Sequence, residues 1–112
     1  MRKIKTLKKN YEFKNVLSNG KFYIGNQISI YVLKNKKDFN VIGIAVSSRK
    51  CNAVQRNKIK RLIRENYILV RSNLKQGYNI VFLWNKKEKP ENADFHIIKN
   101  DMIKKLKIAN LL

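Results

Sequence analysis

Carboxylates are few in this 112-residue chain: seven Asp and Glu stand against 26 Lys and Arg, a formal net charge of +19. So lopsided a balance excludes a surface neutralised by its own ion pairs and favours a polyanionic partner, with RNA, DNA and an anionic membrane surface as the candidates. Cysteine is limited to Cys51, which excludes a disulfide framework and a cysteine metal cluster. That residue is expected to be an incidental small side chain where a helix begins. No apolar run approaches the length of a spanning helix. Lys8-Lys9-Asn10 interrupts the basic N-terminus before the apolar core of a signal peptide could form. A cytoplasmic protein without membrane contact is the expectation.

The inventory for chemistry is equally thin. Glu12, Asp38, Glu65, Glu88, Glu91, Asp94 and Asp101 are scattered over positions expected to be solvated, and no two share a helix face beside a base. His96 is the single histidine; next to Phe95 it is expected to be a surface or half-buried residue, because a lone His rarely has the partners a catalyst needs. There is no Gly-rich phosphate loop and no Ser with a base in sight. The chain is not expected to cut anything by itself. If it serves an enzyme, the catalytic groups come from another molecule.

What is present is a core and a pattern. A hydrophobic fraction of 44% in 112 residues allows one domain with a modest core. Met1–Lys9 carries five basic residues and no acid, and is expected to be a loosely packed arm able to lie along a phosphate backbone. Asn10 is placed as the cap of a first helix ending near Ser18, with Phe13, Val16 and Leu17 as its apolar stripe. A short strand over Lys21–Tyr23 follows. Gln27–Leu33 alternates, with Ile28, Ile30 and Val32 opposed to Ser29, Tyr31 and Leu33. Val41–Ser47 is the next strand, and the small Gly43 and Ala45 on one of its faces leave room for something flat. Tyr78–Trp84 has the composition of a strand buried on both faces. From Asp94 on, Phe95, Ile98, Met102, Leu106 and Ala109 recur at helical spacing.

The densest signal lies between the last two strands. Ala53–Glu65 contains good helix formers and five basic side chains in nine positions. At about 100° per residue, Arg56, Lys60, Arg64, Asn57 and Arg61 share one arc, while Ile59, Leu62, Ile63, Leu69 and Val70 are placed on the other. Glu65 is the sole acid between Arg49 and Lys75. Guanidinium groups grip phosphate in a bidentate fashion, so a face this poor in compensating charge fits nucleic acid better than water.

Asn52-Ala53-Val54-Gln55-Arg56-Asn57-Lys58-Ile59-Lys60-Arg61-Leu62-Ile63-Arg64-Glu65 resembles the signature helix of the bacterial ribonuclease P protein family. Leu7-Lys8-Lys9-Asn10-Tyr11-Glu12-Phe13 is similar to the start of that family's first helix, and Ile44-Ala45-Val46-Ser47 to its strand before the signature. The element pattern predicts an α+β domain, helix–strands–helix–strand–helix (αβββαβα), a single-domain two-layer sandwich. The resemblance implies the ribosomal protein S5 domain 2-like fold with a left-handed βαβ crossover. It further implies a monomeric protein subunit that binds the catalytic RNA and the 5′ leader of precursor tRNA, while the RNA carries out Mg²⁺-dependent endonucleolytic removal of the leader. The Mg²⁺ would be held mainly by the RNA subunit and the substrate.

Carried over position by position, Arg49, Lys50, Arg56, Asn57, Lys58, Lys60, Arg61 and Arg64 would contact the catalytic RNA. Lys9, Phe13, Leu17, Ser29 and Tyr31 would line the cleft for the leader, where an aromatic offers a stacking platform tolerant of base identity. No catalytic or metal-ligating residue is implied. Three places depart from the family pattern: Cys51 replaces a usual Gly, Ser29 a more apolar residue, and Leu83-Trp84-Asn85 a stretch that often carries a basic side chain. The alternative is a structural RNA-binding protein of ribosomal type with no role in cleavage.

Overall fold

The structure is a computed structural model that describes residues 4–112; positions 1–3 of the basic arm lie outside the described residues. The elements are α1 (Asn10–Asn19), β1 (Lys21–Ile24), β2 (Ile28–Lys34), β3 (Val41–Ala45), α2 (Ala53–Val70), β4 (Tyr78–Trp84) and α3 (Phe95–Ile108), with 3₁₀ turns at Arg71–Asn73 and Pro90–Asn92. This is the expected order.

The four strands form one sheet in the order β1-β2-β4-β3. β2 is antiparallel to both β1 and β4, whereas β3 and β4 are parallel. A parallel pair cannot be closed by a tight turn, and α2 supplies the connection. β4 has a partner on each side, and its Ile80, Val81 and Phe82 are completely buried, as its apolar run predicts.

Both faces of the sheet are apolar, and helices cover both. Ile28, Ile30, Ile42, Ile80 and Phe82 pack with Ile59, Ile63 and Tyr67 of α2 and Ile98, Met102 and Leu106 of α3. Asn66 joins the two helices, since its Nδ2 donates to the carbonyls of Leu62 (3.0 Å) and Phe95 (3.1 Å). On the opposite face Val16 of α1 packs with Leu7, Val41 and Val81, and Phe13, Tyr31 and Leu33 border this smaller cluster. The α+β class therefore stands, but the layering is α1, sheet, α2 with α3, rather than two layers.

Three local expectations change. Lys9, not Asn10, is the N-cap of α1; the role of a capping side chain passes to Glu12, whose Oε1 accepts from the backbone N–H of Lys8 (3.1 Å) and Lys9 (2.9 Å). The part of the arm within the described residues is not loose. Leu7 N donates to Ile42 O at 2.8 Å and Ile42 N to Lys5 O at 2.9 Å, so the arm continues the sheet at the free edge of β3, and Leu7 is buried. The room at Gly43 is filled from within. A Cβ there would lie 2.5 Å from Cε1 of Phe13, so the flat group that approaches this glycine is the protein's own aromatic ring.

Asp101 is the largest departure among the carboxylates. It is buried on α3, where its Oδ1 accepts from Asn26 N (2.9 Å) and its Oδ2 from Gln27 N (2.7 Å) and Ile28 N (3.1 Å). A carboxylate removed from water needs such donors. Here they are the backbone amides of the β1–β2 turn, which α3 thereby holds against one end of the sheet.

Candidate nucleic-acid interface

α2 starts on a reciprocal cap. Asn52 Oδ1 accepts from Gln55 N (2.8 Å) and Gln55 Oε1 from Asn52 N (3.0 Å). The first turn has no acid, so the positive end of the helix dipole adds to the side-chain charges instead of being offset. Asn57, Lys58, Arg61 and Arg64 are exposed, Arg56 and Lys60 half-buried, and Arg49 and Lys50 exposed just before the helix. One ion pair exists among the described residues, Arg61 Nε to Glu65 Oε1 at 3.8 Å, with both side chains more than half exposed. Such a pair is worth about 0–1 kcal/mol and leaves the ridge strongly cationic.

Two ridge side chains are anchored. Arg56 Nη1 donates to Cys51 O at 3.0 Å, and Lys50 Nζ to Lys86 O at 2.9 Å. Cys51 is buried within the main core, so the small side chain at the entry to α2 is an apolar plug and not an incidental residue. The apolar arc of α2 differs at one position. Leu69 is 57% exposed, whereas Asn66 and Tyr67 are buried. Counted from Ile59 at about 100° per residue, Leu69 falls about 80° off the buried axis beside Lys58, and Asn66 only about 20° from it.

Beside the start of α2 lies an open groove of about 770 Å³. It exists because α1 covers only part of its sheet face, over Val41, Gly43 and Val81. The rest of that face, with Ser29, Tyr31, Leu83 and Ala45, forms the floor of the groove together with Phe22 and Ile24 of β1. Phe22 pairs across the strands with Tyr31, and their ring centroids are 4.8 Å apart at 38°. Lys86 and Lys87 stand on the rim. Ser29 and Asn85 satisfy one another: the Ser29 hydroxyl donates to Asn85 Oδ1 at 2.5 Å. Asn85 is in turn tied to the turn that Asp101 grips, through Nδ2 to Gly25 O (2.8 Å) and N to Gln27 O (2.8 Å).

Of the five residues placed in a leader cleft, Ser29 and Tyr31 line this groove and Phe13 borders the same sheet face. Ser29 is buried, with its polar atom already paired. Lys9 and Leu17 belong to the α1 side and are not in the groove wall; Leu17 is partly exposed. Sequence reasoning missed Phe22, Ile24, Lys86 and Lys87. The signal for Phe22 was the register that sets it opposite Tyr31, which needs the strand pairing to be known. Lys50 bridges the two features, because its ammonium group holds the Lys86 carbonyl on the groove rim.

The described residues contain no group of three or more His, Cys, Asp or Glu side chains able to hold a metal ion. The buried carboxylate, Asp101, spends both oxygens on backbone amides. These residues do not fit a resident Mg²⁺. His96 is exposed and stacks edge-on against Phe95. No helix among the described residues is long and apolar enough to cross a membrane.

Fold and surface together define a class: a small α+β domain with an exposed cationic helix beside an open, partly aromatic groove. The family Ribonuclease P matches residues 1–110, and the chain belongs to that family. It is 42% identical over 105 residues to the ribonuclease P protein component of Caldanaerobacter subterraneus subsp. tengcongensis, covering 94% of this chain and 89% of the relative. It is 37% identical over 112 residues to that of Natranaerobius thermophilus, covering 100% and 96%. The solved Staphylococcus aureus RNase P protein superposes with a TM-score of 0.83 at 33% identity, over 97% of this chain and 98% of that one. The Thermotoga maritima RNase P protein does so with 0.81 at 28%, over 96% and 97%. As a ribonuclease P protein component the chain is part of a ribonucleoprotein of endonucleolytic tRNA processing, with an RNA subunit as its partner.

Proposed function

We propose that the α2 ridge docks on the catalytic RNA subunit while the adjoining groove takes the single-stranded 5′ leader of precursor tRNA. The observation that carries this reading is the contiguity of the two surfaces through Lys50 and Lys86. Arg56, Lys60, Arg61 and Arg64 suit a folded RNA's phosphates, because each contact releases condensed counterions on binding. The tilted Phe22–Tyr31 pair suits bases of any identity, and Lys86 and Lys87 suit the strand's phosphates.

The protein contributes positioning, not bond cleavage. It fixes the leader beside the RNA-borne centre, so that substrate with a leader is held more tightly than mature product. The Mg²⁺ of the reaction belongs to RNA and substrate phosphates. The chain acts as a cytoplasmic monomer in this scheme. Tyr31→Ala tests it: with the assembled ribonucleoprotein, binding of leader-bearing precursor is expected to weaken roughly tenfold, the scale of one lost base–aromatic stack, with mature tRNA unaffected. Equal loss for both ligands would remove the groove assignment.

A further inference from the structure

The far end of α2 carries a second recess. Ile4 and Lys5 of the arm, Phe39 of the β2–β3 connection, and Tyr67, Arg71 and Gln76 are among the residues around a cavity of about 870 Å³. Its charge is one-sided. Lys5 Nζ lies 3.5 Å from the centroid of the Phe39 ring and Lys37 Nζ 5.5 Å from it, so this one ring draws in two ammonium groups. None of Lys5, Lys37 and Arg71 has a carboxylate in ion-pair range among the described residues, where Arg61–Glu65 is the only such contact.

Tyr67 is 95% buried (5% exposed), yet its side chain reaches the cavity wall. None of the described residues hydrogen-bonds its hydroxyl, which leaves a donor at the surface of the recess. Burial pushes the phenol's pKa up, against the opposing charge of Arg71, and Arg71 lines the same recess. A donor hydroxyl, an unpaired guanidinium and an unpaired ammonium around one opening are the groups that recognise a phosphodiester oxygen.

We propose that this recess is a second RNA contact, in which Lys5, Arg71 and the Tyr67 hydroxyl hold a phosphodiester segment of the RNA subunit. Arg71 opens the 3₁₀ turn that follows α2, ten residues and about 15 Å along the axis from Arg61, so the helix and the turn at its end grip the RNA at two separated points. The proposal rests on the reading of the RNA subunit as the ridge's ligand and is independent of the leader groove. The competing role for Arg71 is to complement the carbonyls at the end of α2, which stabilises the fold without touching RNA.

The affinity of the full-length protein for the catalytic RNA, measured across monovalent salt, separates these roles when thermal melts of each variant are run beside it. Lys5→Gln with Arg71→Gln is expected to make the log K against log salt slope shallower by about 1.4, at about 0.7 per contact to a single strand. Tyr67→Phe keeps the buried ring, and is expected to weaken binding roughly threefold, the scale of one hydrogen bond of ordinary net strength, with the slope unchanged. Arg61→Ala should lower the slope separately and add to the double variant, as distant sites do. If the double variant keeps the wild-type slope while Arg61→Ala lowers it, the recess is not an RNA site and the proposal is overturned, the more so if Arg71→Gln lowers only the melting temperature. If Arg61→Ala also leaves the slope unchanged, the ridge reading fails as well.

Discussion

Asp101→Ala is expected to be among the most damaging single changes in this chain, although Asp101 touches neither the cationic ridge nor the groove. Its two oxygens accept three backbone N–H groups at 2.9, 2.7 and 3.1 Å, those of Asn26, Gln27 and Ile28. Truncation leaves those donors without partners at a site that is mostly closed to water. At about 1–3 kcal/mol for each buried unsatisfied group, with Asn26 partly relieved by solvent, the loss is about 3–5 kcal/mol. A domain of this size has on the order of 5–15 kcal/mol in total. Asp101→Asn is the informative companion. One amide oxygen placed as Oδ2 keeps two of the three bonds and turns Nδ2 toward Asn26 N, so the loss falls to about 1.5–3 kcal/mol. Urea unfolding followed by circular dichroism measures both, and hydrogen exchange at Gln27 and Ile28 locates the effect. A loss below about 1 kcal/mol for Asp101→Ala, or an equal loss for the two variants, would refute the hydrogen-bond reasoning. Because the same turn holds Asn85 through Gly25 O and Gln27 O, the folded fraction of Asp101→Asn should also bind leader-bearing substrate less tightly.

Gly43→Val should be destabilised by about 1–3 kcal/mol, since a Cβ at 43 would stand 2.5 and 2.7 Å from two Phe13 ring atoms; a simultaneous Phe13→Ala should recover part of that loss, and no recovery would mean the ring is not the obstacle. The Glu12 carboxyl is held below its ordinary range by the Lys9 and Lys8 backbone N–H groups. With a folded-state pKa lower than the unfolded one, its contribution is present above the usual carboxylate range and is lost as pH falls through the depressed value. Glu12→Gln should therefore flatten the acid side of the melting-temperature profile and leave little difference from wild type at the lowest pH; parallel profiles at all pH values would contradict this.

The helical ridge was legible because its cause is local. Basic residues at 56, 60, 61 and 64 share an arc whatever α2 packs against, and the neighbouring acids are visible in the same stretch. β4 and α3 were legible for the same reason, through an apolar run and an unbroken helical period. What failed depended on contacts distant in sequence. Nothing near Asp101 marks it as buried, for its three donors lie 73 to 75 residues away. The layer in which α1 sits was hidden because Ile28, Ile30 and Val32 on one side of β2, and Tyr31 and Leu33 on the other, are both apolar enough to be covered. Gly43 showed that space existed without showing that Phe13 fills it. Leu69 is exposed because its angle, about 80° from the buried axis, sets it at the margin of the apolar arc beside Lys58. The groove needed the most tertiary information. It is the remainder of a sheet face after α1 has covered its share, and Phe22 joins it only through pairing with Tyr31.

The central claim is that this chain positions and the RNA cuts. Its most direct test is cleavage of a precursor tRNA by the protein alone, by the catalytic RNA alone, and by the two together at a low Mg²⁺ concentration where the RNA alone is slow. The account predicts no cleavage by the protein, and strong cleavage at the mature 5′ end only when both are mixed. Cleavage by the purified protein without RNA, or no gain on mixing, would contradict it.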